Sequence, residues 1–66
     1  MNLWETQTMR NGDHVRFKTY DGQEYWQEGL LLRFDDFMGV GEIITLGGII
    51  CYAPQRLIVV VTPHEY

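Results

Sequence analysis

The sequence predicts an all-β domain of five short strands, and three observations carry that prediction. Apolar and polar residues alternate over 14–20, a period of two that is typical of a half-buried strand. Turn-forming pairs, Asn11-Gly12, Asp21-Gly22 and Gly47-Gly48, separate the apolar runs. The chain has 66 residues, which is enough for one small domain with a marginal core.

We expect the first two strands to form a tight hairpin. Asp21-Gly22 is a pair favoured in two-residue type I′ turns. Such a turn would place Phe17 opposite Trp26 as core, and Lys18 opposite Tyr25 as an exposed cation–aromatic contact.

The second strand is predicted to run from about 23 to 34 and to bend. One face would carry its bulky apolar residues, which are Trp26, Leu30, Leu32 and Phe34. Gly29 lies in the middle, where we expect a bulge that lets the strand serve two packed sheets.

Three further elements complete the prediction. Strands at 42–46 and 49–52 flank Gly47-Gly48, which we read as a second two-residue hairpin turn. Residues 53–56 contain a proline that cannot donate to a ladder, so a 3₁₀ turn is expected there. Residues 57–62 are rich in β-branched side chains and form the last strand.

We therefore expect one domain over 1–66, with the folded strands at about 11–62 and the N-terminal segment 1–10 packed on them. In that segment Asn2 and Glu5 have the spacing of a capped helical turn. Leu3, Trp4 and Met9 are its apolar residues, and a segment this short needs other parts of the chain to pack against.

Composition narrows the class of function. The net charge is −4, so a conventional phosphate-binding surface is not expected. Cys51 is the single cysteine and cannot form an internal disulfide, serine is absent, and His14 and His64 are far apart in the chain. We expect a cytoplasmic protein with no catalytic residues, cofactor or metal. The longest apolar run, 57–61, is too short for a membrane helix, and no signal peptide is visible.

The predicted layout resembles the SH3-like small β-barrels. The segment 12–17, Gly-Asp-His-Val-Arg-Phe, looks like the "GD-x-V" opening of Tudor-like and KOW-like barrels. A two-residue first turn would leave out the long RT loop of SH3 domains, which argues against binding of proline-rich peptides. The resemblance implies a five-stranded SH3-like barrel with a 3₁₀ turn before the last strand.

A more distant resemblance is to the type II plasmid dihydrofolate reductase barrel. It rests on 26–29, Trp-Gln-Glu-Gly, and on 49–52, Ile-Ile-Cys-Tyr. Ile50 stands where that family has its functional glutamine. The resemblance therefore implies the barrel and not the reductase activity.

Aromatic and acidic residues near the predicted turns are the candidate partner-binding residues. In a Tudor-like barrel such rings would form a cage for a cation, with Asp35 and Asp36 adding charge complementarity. The alternative is that the rings complete a small core and the acids only keep the surface solvated. The candidate site consists of Tyr20, Tyr25, Asp35, Asp36, Phe37, Met38 and Tyr52.

Apolar residues fall on both faces of the last strands, which predicts a homo-oligomer unless the N-terminal segment covers one face. The leading interpretation is a small acidic, non-catalytic protein that docks a basic protein partner, as phage or plasmid accessory or inhibitor proteins do. One alternative is a nucleic-acid-associated KOW or Tudor-like barrel that uses a strip of basic residues, Arg10, Arg16, Lys18 and Arg33. Another is an oligomeric pore enzyme of the plasmid reductase type.

Overall fold

A computed structural model describes residues 9–62 and shows a single antiparallel sheet of five strands. The all-β prediction is confirmed. The sheet order is β4-β3-β2-β1-β5, and across the described residues no ladder joins β4 to β5. The sheet is therefore open, and closure into a barrel is not observed. The strands are β1 His14–Phe17, β2 Gln27–Asp35, β3 Val40–Thr45, β4 Ile50–Pro54 and β5 Ile58–Thr62.

A 3₁₀ turn connects β4 to β5 as predicted, but it spans Gln55–Leu57 and not 53–56, because β4 continues through Pro54. Within residues 9–62 no helix has the length and hydropathy needed to span a membrane. The predicted capped turn at Asn2 and the packing of Leu3 and Trp4 lie outside the described residues, as does His64.

The core lies under one face of the sheet. All five strands contribute to it, because alternate side chains of each strand point to the same side. Met9, from the predicted N-terminal segment, packs against this core together with Phe34, Cys51 and Val60. The buried apolar side chains are Val15, Phe17, Leu31, Ile43, Ala53 and Ile58, and Asp13 is a buried polar one.

The sheet curls so that Ile58 packs over Gly41, where the absence of a side chain leaves room for it. A Cβ atom on Gly41 would lie 2.7 Å from Cδ1 of Ile58 and 3.0 Å from Cδ1 of Leu31. Ile58 belongs to β5 and Gly41 to β3, which are separated in the sheet by β2 and β1. These contacts bring the β5 edge over β3 and enclose the core without a closed ladder.

The predicted facing of β2 is wrong for Leu30 and Leu32, whereas Phe34 packs against the core as predicted. Leu31 is fully buried, whereas Leu30 and Leu32 are 48% and 39% exposed. Three consecutive leucines fit either facing equally well, and a shift of one residue exchanges the two faces. The irregularity predicted at Gly29 is found instead at Leu32, where the register with β3 shifts between Leu31 and Arg33.

The first hairpin is also not the predicted tight one. Phe17 pairs with Gln27, not with Trp26, and nine residues, 18–26, form the connecting loop. A turn does occur at Asp21-Gly22, closed by a hydrogen bond from the Gln23 N–H to the Tyr20 carbonyl. The strands end before it. The argument against binding of proline-rich peptides, which rested on a two-residue turn, therefore does not hold.

The second hairpin has one more loop residue than predicted. The Gly48 N–H donates to the Thr45 carbonyl at 2.9 Å, and the Thr45 N–H donates to the Ile49 carbonyl at 2.8 Å. Gly48 has a φ of 84°. A type I turn followed by a left-handed residue is the usual three-residue hairpin, so Leu46 joins Gly47 and Gly48 in the loop.

Two glycine substitutions test the pairing of β2 with β3. A Cβ atom on Gly29 would lie 2.3 Å from the Ile44 carbonyl oxygen, so Gly29→Ala must displace backbone and should destabilise the protein by about 1–3 kcal/mol. Gly22→Ala is the matched control, since its Cβ would meet only the Tyr20 ring at 3.5 Å and its φ is not positive. We expect a change below about 0.5 kcal/mol there. Urea denaturation measures both, and equal midpoints would contradict the β2–β3 register.

Candidate functional site

Two connecting segments, at opposite ends of β2, are linked through the 3₁₀ turn. The Gln55 N–H donates to the Gly39 carbonyl at 2.9 Å, and the Lys18 N–H donates to the Leu57 carbonyl at 3.0 Å. The Arg56 guanidinium also lies 2.6 Å from the Asp21 carboxylate. The 3₁₀ turn thus joins the first loop to the β2–β3 turn. We call residues 18–26, 35–39 and 55–57 the loop end.

Side chains within the first loop hold its shape. The Thr19 N–H and hydroxyl both lie within hydrogen-bonding distance of Gln23 Oε1, at 2.7 and 3.1 Å. The Lys18 ammonium lies 4.8 Å from the centre of the Trp26 ring, a cation–π distance. The predicted partner of Lys18 was Tyr25. Trp26 is the observed partner because the first loop is longer than predicted, so Lys18 and Tyr25 are not paired across a hairpin.

The β2–β3 turn is organised by Asp35. One oxygen of its carboxylate accepts the N–H groups of Phe37 and Met38 at 2.9 and 3.1 Å. Gly39 closes the turn with a φ of 68°. Asp36 and Phe37 are left facing solvent, and the Phe37 side chain is 95% exposed. Asp35 therefore shapes a turn whose tip presents an acid beside a ring.

A cross-strand row of polar side chains lies beside this turn on the sheet. The Tyr52 hydroxyl donates to Glu42 Oε2 at 2.8 Å, and Arg33 Nε lies 3.4 Å from Glu42 Oε1. With Asp35, Met38 and Val40 they line a shallow depression of about 190 Å³. The Glu42 carboxylate raises the pKa of Tyr52 above its usual range, first through the hydrogen bond and then through charge, while Arg33 opposes the shift.

The structure brings some of the predicted site residues together and separates others. Asp35, Met38 and Tyr52 line one depression. Tyr20 and Tyr25 lie on the first loop, 61% and 74% exposed, and are not core residues. The highly exposed Phe37 ring is not enclosed in a cage. Glu42 was missed as a site residue and Arg33 was named only in the alternative basic strip, although their cross-strand pairing with Tyr52 follows once the register is known.

Charges are distributed unevenly over this surface. Three of the cations have partners at the distances given above: Lys18 with Trp26, Arg33 with Glu42, and Arg56 with Asp21. Arg16 is exposed and lies opposite Glu28 in the sheet register. The proposed basic strip is therefore interrupted by acids. At the loop end, Glu24 and Asp36 are exposed, and neither forms a salt bridge among the described residues.

Across residues 9–62, no group of three or more His, Cys, Asp or Glu side chains is placed to hold a metal ion. Comparison with known proteins gives no match: no family model, no curated protein and no solved structure is significantly similar to this chain.

The raised pKa of Tyr52 predicts a pH effect. Its hydrogen bond to Glu42 should be intact below the ordinary tyrosine pKa of 10.0 and be lost as pH rises through the higher value of the folded state. Glu42→Gln removes the charge and should lower the Tyr52 pKa toward the ordinary value. Titration by ultraviolet absorbance, with Tyr52→Phe to assign the signal, measures this shift. An identical Tyr52 titration in both proteins would contradict the contact.

The hydrogen bonds of the Asp35 carboxylate predict that two substitutions at this position differ in their effect on stability. Asp35→Asn keeps an oxygen that accepts the two turn amides, whereas Asp35→Ala removes it. We expect the alanine variant to lose about 1 kcal/mol of stability and the asparagine variant much less. Urea denaturation compares them, and equal losses would show that the carboxylate does not organise the turn.

Proposed function

We propose that this protein is a non-catalytic binding module that docks a basic protein partner on its loop end. The observation that carries the proposal is the joining of three segments by the Gln55–Gly39, Lys18–Leu57 and Arg56–Asp21 contacts. Because the 3₁₀ turn contacts both neighbours, we place the exposed rings and acids of these segments on one binding surface. Such a surface loses little conformational entropy when a partner binds.

The chemistry of the loop end fits a cationic partner. Asp36 and Glu24 supply negative charge that raises the association rate by steering. Tyr20, Tyr25 and Phe37 supply exposed rings, and aromatic residues are the commonest anchors of protein interfaces. Lysine and arginine stems pack on such rings while their charged ends meet the acids. A basic partner therefore satisfies both features at once.

The finer description of the fold is part of the proposal: an open variant of the SH3-like barrel. Three features support it. The strand order places β5 beside β1, the long β2 pairs with both β1 and β3, and a 3₁₀ turn precedes β5. The contact of Ile58 over Gly41 supplies the curvature that a small barrel needs.

Removing one charge or one ring tests the proposed site. With a fluorescent oligolysine peptide as the probe, Asp36→Asn should weaken binding about two- to fivefold and reduce its salt dependence. Phe37→Ala should weaken binding while leaving the salt dependence unchanged, because packing is lost and charge is not. Glu28→Gln is the control, since it removes one exposed acid that lies on β2, outside the loop end, 3.4 Å from the His14 ring nitrogen Nε2. Fluorescence anisotropy at low and high salt measures all four proteins.

Two outcomes would contradict the proposed site. If Glu28→Gln weakens oligolysine binding as much as Asp36→Asn, the probe senses net charge and not the loop end. If the protein instead binds a short DNA duplex and Arg16→Glu abolishes that binding, the basic strip of the nucleic-acid alternative is the functional surface. The Asp36 and Phe37 variants would then behave as the unsubstituted protein does.

A further inference from the structure

The outer edge of β4 is a second surface with features of its own. β4 is the last strand on one side of the sheet, and nothing among the described residues pairs with its outer edge. On the face opposite the core, β4 carries an apolar and an aromatic side chain, Ile50 and Tyr52, which are 44% and 58% exposed. At the adjoining hairpin Leu46 and Ile49 are 85% and 65% exposed. Unprotected edges of this kind are places where strands from other chains add to a sheet.

The register shows which backbone groups of β4 are available. Ile49 and Gln55 lie at the two ends of the β3–β4 ladder and are both hydrogen-bonded across it, to Thr45 and Gly39. The register between them has no shift, and bonded pairs alternate in an antiparallel ladder. The backbone groups of Ile50 and Tyr52 therefore point away from β3. Pro54, which has no N–H to offer, occupies the next outward-pointing position and ends the edge.

The edge also lacks charge. Positions 46–54 contain no Asp, Glu, Lys or Arg in a chain that is 21% charged. Natural edges are commonly protected by lysines or other charges, and this one is not. A basic partner would gain nothing from the uncharged edge. Two copies of the chain, each with a net charge of −4, meet with the least repulsion where charge is absent.

We propose that two copies of this chain dimerise by antiparallel pairing of their β4 strands about a two-fold axis at Cys51. In this register Ile50 of each copy faces Tyr52 of the other, and each such pair exchanges two hydrogen bonds through the outward-pointing groups. The pairing of a β-branched side chain with an aromatic one is favourable across strands. Every outward-pointing N–H of both edges is satisfied, which is why we assign the edge to a second copy.

The two-fold register places the two Cys51 residues directly opposite each other. They form a non-hydrogen-bonded pair, whose Cα atoms lie about 4.5 Å apart. A disulfide spans Cα separations of roughly 4.4–6.8 Å, so this pair is close enough to be cross-linked. In the test, diamide takes up two electrons and two protons as the two thiols become one disulfide. The cross-link reports the register and is not proposed as a native bond.

Light scattering and cross-linking on the full chain test the dimer. We expect twice the mass of one chain at tens of micromolar, and a covalent dimer after brief treatment with diamide. Ile50→Lys should give a folded monomer, checked by circular dichroism, and should abolish the cross-link. If that variant fails to fold, Tyr52→Lys replaces it on the same edge. Val61→Lys is the matched control, with similar exposure of 47% on β5, and should remain dimeric.

Each other result overturns the proposal. A monomer at every concentration means that the edge is open or is covered by the chain's own residues outside 9–62. A dimer that is lost in Val61→Lys and retained in Ile50→Lys places the interface on β5. A cross-link that persists in Ile50→Lys arises from random collisions and not from the paired edges.

Discussion

The missing side chain at Gly41 is the constraint on which the rest of the structure depends. Ile58 and Leu31 pack over this position, so β5 is drawn across the sheet toward β3. The curl encloses a core of six buried apolar side chains, which a flat sheet of this size would leave exposed. It also places the 3₁₀ turn, which immediately precedes Ile58, between the first loop and the β2–β3 turn.

A core on one side of the sheet decides what the other side presents. Because Leu31 and Ile43 point inward, Leu30 and Ile50 point outward and stay partly exposed. A 66-residue chain buries too small a fraction of its surface to hide every apolar side chain. The result is a molecule with two surfaces, a charged, aromatic loop end and a β4 edge without charged residues, which adjoin at Tyr52. The two surfaces differ in chemistry and so suit different partners.

The sequence predicts those parts of the fold that depend on clear local patterns. The alternation of Val15 and Phe17 gives β1 correctly, and the proline at 54 correctly marks the 3₁₀ turn. The facing of β2 could not be derived, since Leu30, Leu31 and Leu32 carry no periodicity. The turn-forming residues also mark the positions of the two hairpin turns correctly, but both loops are longer than predicted. The ladder between the first two strands stops just before the contact of Lys18 with Trp26, and that contact is visible only in three dimensions.

The central claim is that the loop end works as one surface, although its residues come from three segments of the chain. Amide chemical shifts recorded during titration with oligolysine test this claim most directly. The account predicts that amides of 18–26 and 35–39 shift together and follow one dissociation constant. Shifts confined to one of these segments, or centred on Arg16, would contradict it.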